Sequence, residues 1–245
     1  MQDNDLNHFT ICIAGITVRI NTLYSKSFIS CFDYLSEQTP DFEVTITKQD
    51  LIDEQTIAFQ YGNHQTKRHL ELLAVYRKIL DRAIAYDAIM IHGAAIAVND
   101  AAYVFCGKSG VGKTTHIQKW LEQNSNAYVI NGDKPIIRLI DGSFYVCGTP
   151  WSGKENMNTN TMVPLKSIIF MTRNEGNDNS IVRIAFSHAY PRLLNQIHRY
   201  KDLVKMQKTL DLIERMNDSI QFFDFLSNNL KENSYQVAYD TIIEK

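Results

Sequence analysis

The sequence predicts an α/β protein, with a β-rich N-terminal lobe and one linking helix over residues 1–87, and a mixed core with C-terminal helices over residues 88–245. Three observations carry this. Short β-type apolar runs fill the start of the chain. A strand-like run at Ala101–Cys106 passes through a Gly-rich loop into a helix-compatible segment at Thr115–Leu121, and the chain after His188 reads mainly as helices.

At 245 residues the chain is long enough to bury a substantial core. Its apolar share of 44% and charged share of 21% are those of an ordinary globular protein. Basic and acidic residues number 25 and 27, so no global basic field draws nucleic acid or an anionic membrane, and neither partner is expected. The start, Met1-Gln2-Asp3-Asn4-Asp5, lacks the basic and apolar regions of a signal peptide, and no run approaches the length of a membrane span. Cys12, Cys31, Cys106 and Cys147 have no C-x-x-C spacing and read as buried free thiols. The combined expectation is a cytoplasmic protein.

In the N-terminal lobe, Phe9–Ile13 and Ile16–Ile20 flank Ala14-Gly15 as a hairpin, and further β-type runs lie at Phe42–Ile46 and Thr56–Tyr61. Leu70, Leu73, Tyr76, Leu80 and Ile84 then recur at spacings of three and four, which predicts an amphipathic helix between Lys67 and Tyr86. His64 and His69 near its start read as surface residues. In the core, the apolar runs Ala88–Ile91 and Ala94–Val98 are broken at His92-Gly93, and Asn99-Asp100 turns the chain into the strand Ala101–Cys106.

Gly107-Lys108-Ser109-Gly110-Val111-Gly112-Lys113-Thr114 follows, and it matches the pattern G-x-x-x-x-G-K-[S/T] at every fixed position. Each residue type has a physical reason. Glycines allow several backbone N–H groups to turn inward around a phosphate, Lys113 neutralises the outer phosphates, the Thr114 hydroxyl holds Mg²⁺, and the helix start adds its partial positive charge. The predicted nucleotide-binding set is Gly107, Lys108, Ser109, Gly110, Val111, Gly112, Lys113, Thr114 and Thr115.

Beyond the loop helix, the run Ala127–Ile130 ends at Asn131-Gly132-Asp133. An acidic residue there reads as a turn aspartate or as a second metal ligand opposite Thr114; its strand-end placement favours the metal. Asp141-Gly142 joins Pro135–Ile140 to Ser143–Cys147 as a hairpin. The exit loop, Gly148 to Asn156, is either a plain connection or a candidate substrate loop in which Trp151 offers an aromatic face and Lys154 and Glu155 offer charge. Pro164–Met171 reads as a core strand with Arg173 at its end, followed by a polar loop, helices around Leu193–Ile197 and Leu203–Ile213, a strand at Ser219–Phe223, and a helix from Ser234.

The order His92-Gly93, a hairpin-like stretch, the Gly107–Thr114 loop, Asn131-Gly132-Asp133, a second hairpin and a Gly-Thr-Pro loop resembles the HPr serine kinase and phosphoenolpyruvate carboxykinase superfamily, most of all its short HPr-kinase-related proteins. The likeness covers roughly Ile89 to Met171. It implies a P-loop kinase core with a mixed, curved sheet, ATP and Mg²⁺ as cofactors, and self-association into a homo-oligomer. It places Lys113 on the nucleotide phosphates, Thr114 and Asp133 at the metal, and His92 by the reacting phosphoryl group, so that Asp133, Lys113 and His92 form the catalytic set. The family often has two adjacent acidic residues after the second strand, whereas here Asp133 precedes Lys134. Either Asp133 carries both duties, or His92 helps accept the proton, or turnover is impaired.

Other phosphate-loop activities lack their marks. No Asn-Lys-x-Asp motif follows the loop, Thr47-Lys48-Gln49-Asp50 being imperfect and upstream, and no Ser-Gly-Gly-Gln signature is present. The expected activity is ATP-dependent phosphorylation of a hydroxyl acceptor, in the form of a serine of a peptide or small protein, or a small metabolite. The alternative is a nucleotide-binding regulator or assembly protein with weak turnover.

Overall fold

The computed structural model describes residues 7–60, 62–174, 176, 178–228 and 233–243. The chain forms two compact units, Met1–Tyr86 and Asp87–Lys245.

In the first unit, β1 (His8–Ile13) and β2 (Ile16–Asn21) pair antiparallel around Ala14-Gly15, whose φ values of 51° and 66° are those of a tight hairpin turn. α1 (Lys26–Ser30) follows, and β3 (Phe42–Thr45) adds parallel to β2. The run at Thr56–Gln60, expected as a strand, belongs instead to α2 (Lys48–Gln60); Tyr61 lies outside the described residues. The cause is upstream: Thr47 Oγ1 and N–H both donate to the Asp50 carboxylate while Asp50 N–H donates back to Thr47 Oγ1, a reciprocal cap that starts a helix. The stretch Thr47-Lys48-Gln49-Asp50 is thus a capping device.

α3 (Lys67–Ala83) buries Leu70, Val75, Ile79 and Leu80, and the Glu54 carboxylate on α2 pairs with Arg77 on α3. Buried Glu71 accepts from the N–H groups of Leu23 and Tyr24 and the hydroxyl of Ser27, which anchors the segment entering α1. Burial raises the Glu71 carboxyl pKa, against the lowering effect of these donors. The described part of this unit is therefore more helical than β, not a β-rich lobe.

The second unit contains β4 (Ala88–Met90), β5 (Gly93–Val98), β6 (Ala101–Cys106), α4 (Lys113–Gln123), β7 (Ala127–Asn131), β8 (Ile136–Ile140), β9 (Ser143–Cys147) and the twelve-residue β10 (Met162–Arg173). β11 (Ser180–Ile184), α5 (Phe186–Leu194), α6 (Leu203–Arg215), β12 (Gln221–Ser227) and α7 (Ser234–Ile242) complete it. The expected helix at Leu193–Ile197 begins and ends earlier, as α5. Pro191 lies inside it and removes a backbone donor, and after Leu194 the chain tightens until Ile197 bridges to Ile91. The last strand starts two residues later than expected, and β11 was not foreseen.

The nine strands form one mixed sheet in the order β4-β8-β9-β10-β6-β5-β7, with β12 on β10 and β11 on β12. β10 joins its two parts. Met162–Pro164 run antiparallel to β9, and from Leu165 onward the strand runs parallel to β6 on one side and β12 on the other. Because β5 is antiparallel to both β6 and β7, the end of β6, the end of β7, the end of β10 and the start of β5 share one edge of the sheet. Loops at the carboxyl ends of parallel strands are where open α/β sheets gather ligands.

That edge rests on a dense core. Trp120 of α4 is fully buried, packed against Tyr103 on β6 and edge-on to Tyr235 of α7, with Ile117, Phe105 and Phe225 completing the cluster. Aromatic side chains of this size dominate core energetics, so α4 is held firmly where it leaves the Gly-rich loop. Cys31, Cys106 and Cys147 are buried free thiols whose pKa values burial pushes up to about 12. No helix among the described residues is long and apolar enough to cross a membrane.

Candidate functional site

The loop between β6 and α4 is shaped by contacts that exclude side chains. A Cβ on Gly107 would stand 2.8 Å from the Met171 carbonyl oxygen on β10, so only glycine lets the loop leave β6 that close to its neighbour. Gly112 caps α4 with φ 100° and ψ 22°, a left-handed conformation that other residues rarely adopt. It offers no side chain to the helix start, and the first-turn N–H groups of Lys113, Thr114 and Thr115 have no intrahelical acceptor. A helix end of this kind is an anion site. Lys113 Nζ donates to the carbonyls of Gly107 at 2.9 Å and Lys108 at 3.4 Å, so the ammonium spans the mouth of the loop. Burial lowers the Lys113 pKa, with Cys106 and Asp133 acting in the other direction.

Asp133 reaches the same place from β7. Its turn is organised by Asn131, whose fully buried carboxamide accepts from the N–H groups of Asp133 at 2.9 Å and Lys134 at 2.7 Å. The Asn131 amide donates in turn to the carbonyl and hydroxyl oxygens of buried Thr149, whose hydroxyl donates to the Lys134 carbonyl at 2.9 Å. Gly93 N–H donates to the Asp133 carbonyl at 3.0 Å, which ties this turn to the start of β5, where His92 sits. His92 Nδ1 lies 3.6 Å from Asp133 Oδ1, and Lys134 Nζ lies 3.1 Å from Asp133 Oδ2. Burial lowers the His92 pKa and so do Lys113 and Lys134, while Asp133 opposes them.

These groups converge. Lys113, Thr114, Thr115, Asp133 and His92 line one cavity of about 490 Å³, together with Ser109, Gly110, Gly112 and, from the exit loop, Lys154 and Glu155. Gly107, Lys108 and Val111 lie instead on a second cavity of about 670 Å³ across the loop, where Ser109 and Gly110 form a shared wall. Arg173 also lines that second cavity. Trp151, offered by the sequence as a candidate aromatic face, is 5% exposed and does not line the first cavity; its backbone N–H donates to the Thr149 hydroxyl.

Asn131 and Thr149 are the residues whose part is visible only in the structure. They lie eighteen positions apart, and the one available signal was the buried-type run that precedes Asn131-Gly132-Asp133. No group of three or more His, Cys, Asp or Glu among the described residues could hold a metal alone. A hydroxyl and a carboxylate are hard oxygen donors that suit Mg²⁺, which takes few protein ligands and completes its shell from phosphates and water. The donor set therefore fits that ion.

No protein-family model matches the chain, and no curated protein matches it in sequence. Among solved structures it is similar to the HPr(Ser) kinase/phosphatase from Coxiella burnetii, at 8% identity and a TM-score of 0.36, over 63% of this chain and 97% of that one.

Proposed function

We propose that this protein is a Mg-ATP-dependent phosphotransferase that moves the γ-phosphoryl group to a hydroxyl, on a serine of a peptide or small protein or on a small metabolite. The observation that carries this is the convergence of Lys113, Thr114, Asp133 and His92 on one cavity beside an uncapped helix start. The sequence resemblance of Ile89–Met171 to the HPr serine kinase and phosphoenolpyruvate carboxykinase superfamily supports the same reading.

In this reading the first-turn N–H groups of α4 and the Lys113 ammonium hold the phosphate oxygens and neutralise charge as it shifts toward the leaving oxygen. Thr114 and Asp133 hold Mg²⁺, which when bound supplies further charge neutralisation and alignment. His92 keeps its proton on Nδ1, toward Asp133, and Nε2 accepts the proton of the acceptor hydroxyl as the new O–P bond forms and the bond to the ADP oxygen breaks. Lys154 and Glu155, which line the same cavity, would in this reading face the acceptor.

One observation favours a second reading, a nucleotide-binding regulator with weak turnover. Lys134 stands where the family often has a second acid, and its ammonium is 3.1 Å from Asp133. Incubation with Mg-ATP and a panel of hydroxyl acceptors, following ADP and phospho-product, separates the two. Acceptor-dependent ADP release that disappears in Lys113→Ala supports the transferase. Tight nucleotide binding without such release across the panel supports the regulator.

A further inference from the structure

The second cavity has no part in the chemistry described so far, and its lining differs in kind. Its floor is Phe170 and Met171 at the end of β10, with Val111 from the loop, and its polar groups include Lys108, Thr172, Arg173, Arg192, Asn195 and Gln196. At about 670 Å³ it is of the size that takes small molecules. The first cavity, by contrast, is lined chiefly by charged and hydroxyl groups.

Building on the phosphotransferase reading, we infer that this second cavity takes the nucleoside of the donor nucleotide, and that Gln196 reads the edge of its base. Sheet topology gives the direction. Asp133 and His92 come to the loop from the β7 and β5 side, so the metal, the terminal phosphate and the acceptor occupy that side. β10 flanks β6 on the other side, and its end forms the second cavity. A nucleotide whose reacting end faces Asp133 has its nucleoside directed over the shared wall of Ser109 and Gly110.

The side chains match that occupant. The Arg192 guanidinium is already paired with Asp224 at 3.0 Å and stacked over the Phe170 ring at 4.6 Å, which fixes a flat cationic surface and offsets its charge. An immobilised, charge-compensated guanidinium suits stacking on a planar base better than capture of an anionic acceptor. Gln196 is half-buried, and its carboxamide makes no hydrogen bond among the described residues. An amide presents a donor and an acceptor together, the complement of a purine edge. Its backbone carbonyl meanwhile accepts from His92 N–H at 2.6 Å, so the base reader and the proposed proton acceptor are fixed to each other by one bond.

The experiment compares Mg-ATP with inorganic tripolyphosphate, which carries the phosphates without a nucleoside, in titration calorimetry of the full chain. The parent should bind ATP more tightly than tripolyphosphate. Gln196→Leu should weaken ATP by about three- to tenfold, the loss of one or two neutral hydrogen bonds, and leave tripolyphosphate unchanged. Gln196→Glu keeps the shape, removes both donors, and should shift preference between ATP and GTP. Unchanged ATP affinity in both variants, or a parallel fall for tripolyphosphate, overturns the inference. So does an Arg192→Gln protein whose acceptor KM rises while nucleotide affinity stays the same, because the cavity would then hold the acceptor. If Lys113→Ala alters neither ligand, the failure lies in the phosphate-loop reading itself and removes this one with it.

Discussion

Lowering the pH from 7 to 5 should weaken the Asp87–Lys245 unit through one buried imidazole. His116 lies fully buried on α4, with the rings of Phe105 and Phe225 each 5.0 Å away. Its Nε2 accepts the Trp120 indole N–H at 2.9 Å, which puts the ring proton on Nδ1, and Nδ1 has no partner among the described residues. Burial first, and the positive charge of Lys119 second, push its pKa down from 6.5 to about 3. The unfolded chain therefore takes up a proton near pH 6.5 that the folded chain refuses until about pH 3. Stability is full above the ordinary histidine value and falls as pH drops through that interval, at about 1.4 kcal/mol per unit.

From pH 7 to 5 the loss from this residue comes to about 2 kcal/mol. Both tryptophans, Trp120 and Trp151, are buried in this unit, so their emission during urea unfolding without nucleotide or magnesium reports on it selectively. His116→Leu cannot titrate, although it leaves the Trp120 N–H without an acceptor and so lowers stability at both pH values by about 1–3 kcal/mol. The readout is the difference between pH values. Equal losses in parent and variant would refute the reasoning.

Four other outcomes are expected. On the phosphotransferase reading Lys113→Ala should lower kcat/KM by about 10²–10³, through loss of a charge that reading aims at the transferring group, with the unfolding midpoint nearly unchanged. His92→Gln should lower kcat by about 10²–10⁴ with little change in nucleotide affinity, as steady-state kinetics beside calorimetry will show. Gly148→Ala would place a Cβ 1.8 Å from the Thr159 carbonyl oxygen, a backbone clash, and should destabilise by about 3 kcal/mol or more in urea titration. Asn131→Ala leaves the Asp133 and Lys134 N–H groups without their acceptor and should cost about 1–3 kcal/mol for each that stays dry, together with a loss of turnover.

What the sequence made legible was local. The Gly107–Thr114 loop, the Ala14-Gly15 and Asp141-Gly142 hairpins and the α3 periodicity are set by residues within a few positions of each other, and each lies where the pattern puts it. α2 departs from the sequence pattern because Thr56-Ile57-Ala58-Phe59 alternates like a strand while its helix is decided nine residues earlier, at the Thr47–Asp50 cap. The double role of β10 had no local signal. One continuous run can pair with β9 at its start and with β6 and β12 beyond only through partners distant in sequence. Nor does the loop sequence from Gly148 to Asn156 show that Trp151, read there as a candidate aromatic face for a substrate, is 5% exposed.

Lys134 bears most directly on how the site divides its work. The carboxylate of Asp133 has one oxygen 3.1 Å from the Lys134 ammonium and the other 3.6 Å from His92. Each carboxylate oxygen has two lone pairs, so both can still reach a metal ion while keeping these neighbours. In the proposed reading proton abstraction falls to another group, because the Asp133 carboxylate is already engaged by the metal and by the Lys134 ammonium. Burial, Lys113 and Lys134 lower the His92 pKa and so keep the imidazole neutral, with Asp133 opposing them; with Nδ1 turned to Asp133, Nε2 is the nitrogen left to accept a proton. Under this proposed reading, the lysine in place of a second acid makes the imidazole the base and leaves Asp133 with the metal. On that division, His92→Gln should remove more turnover than Lys134→Gln, and the reverse order in acceptor-dependent ADP release would return the base to Asp133.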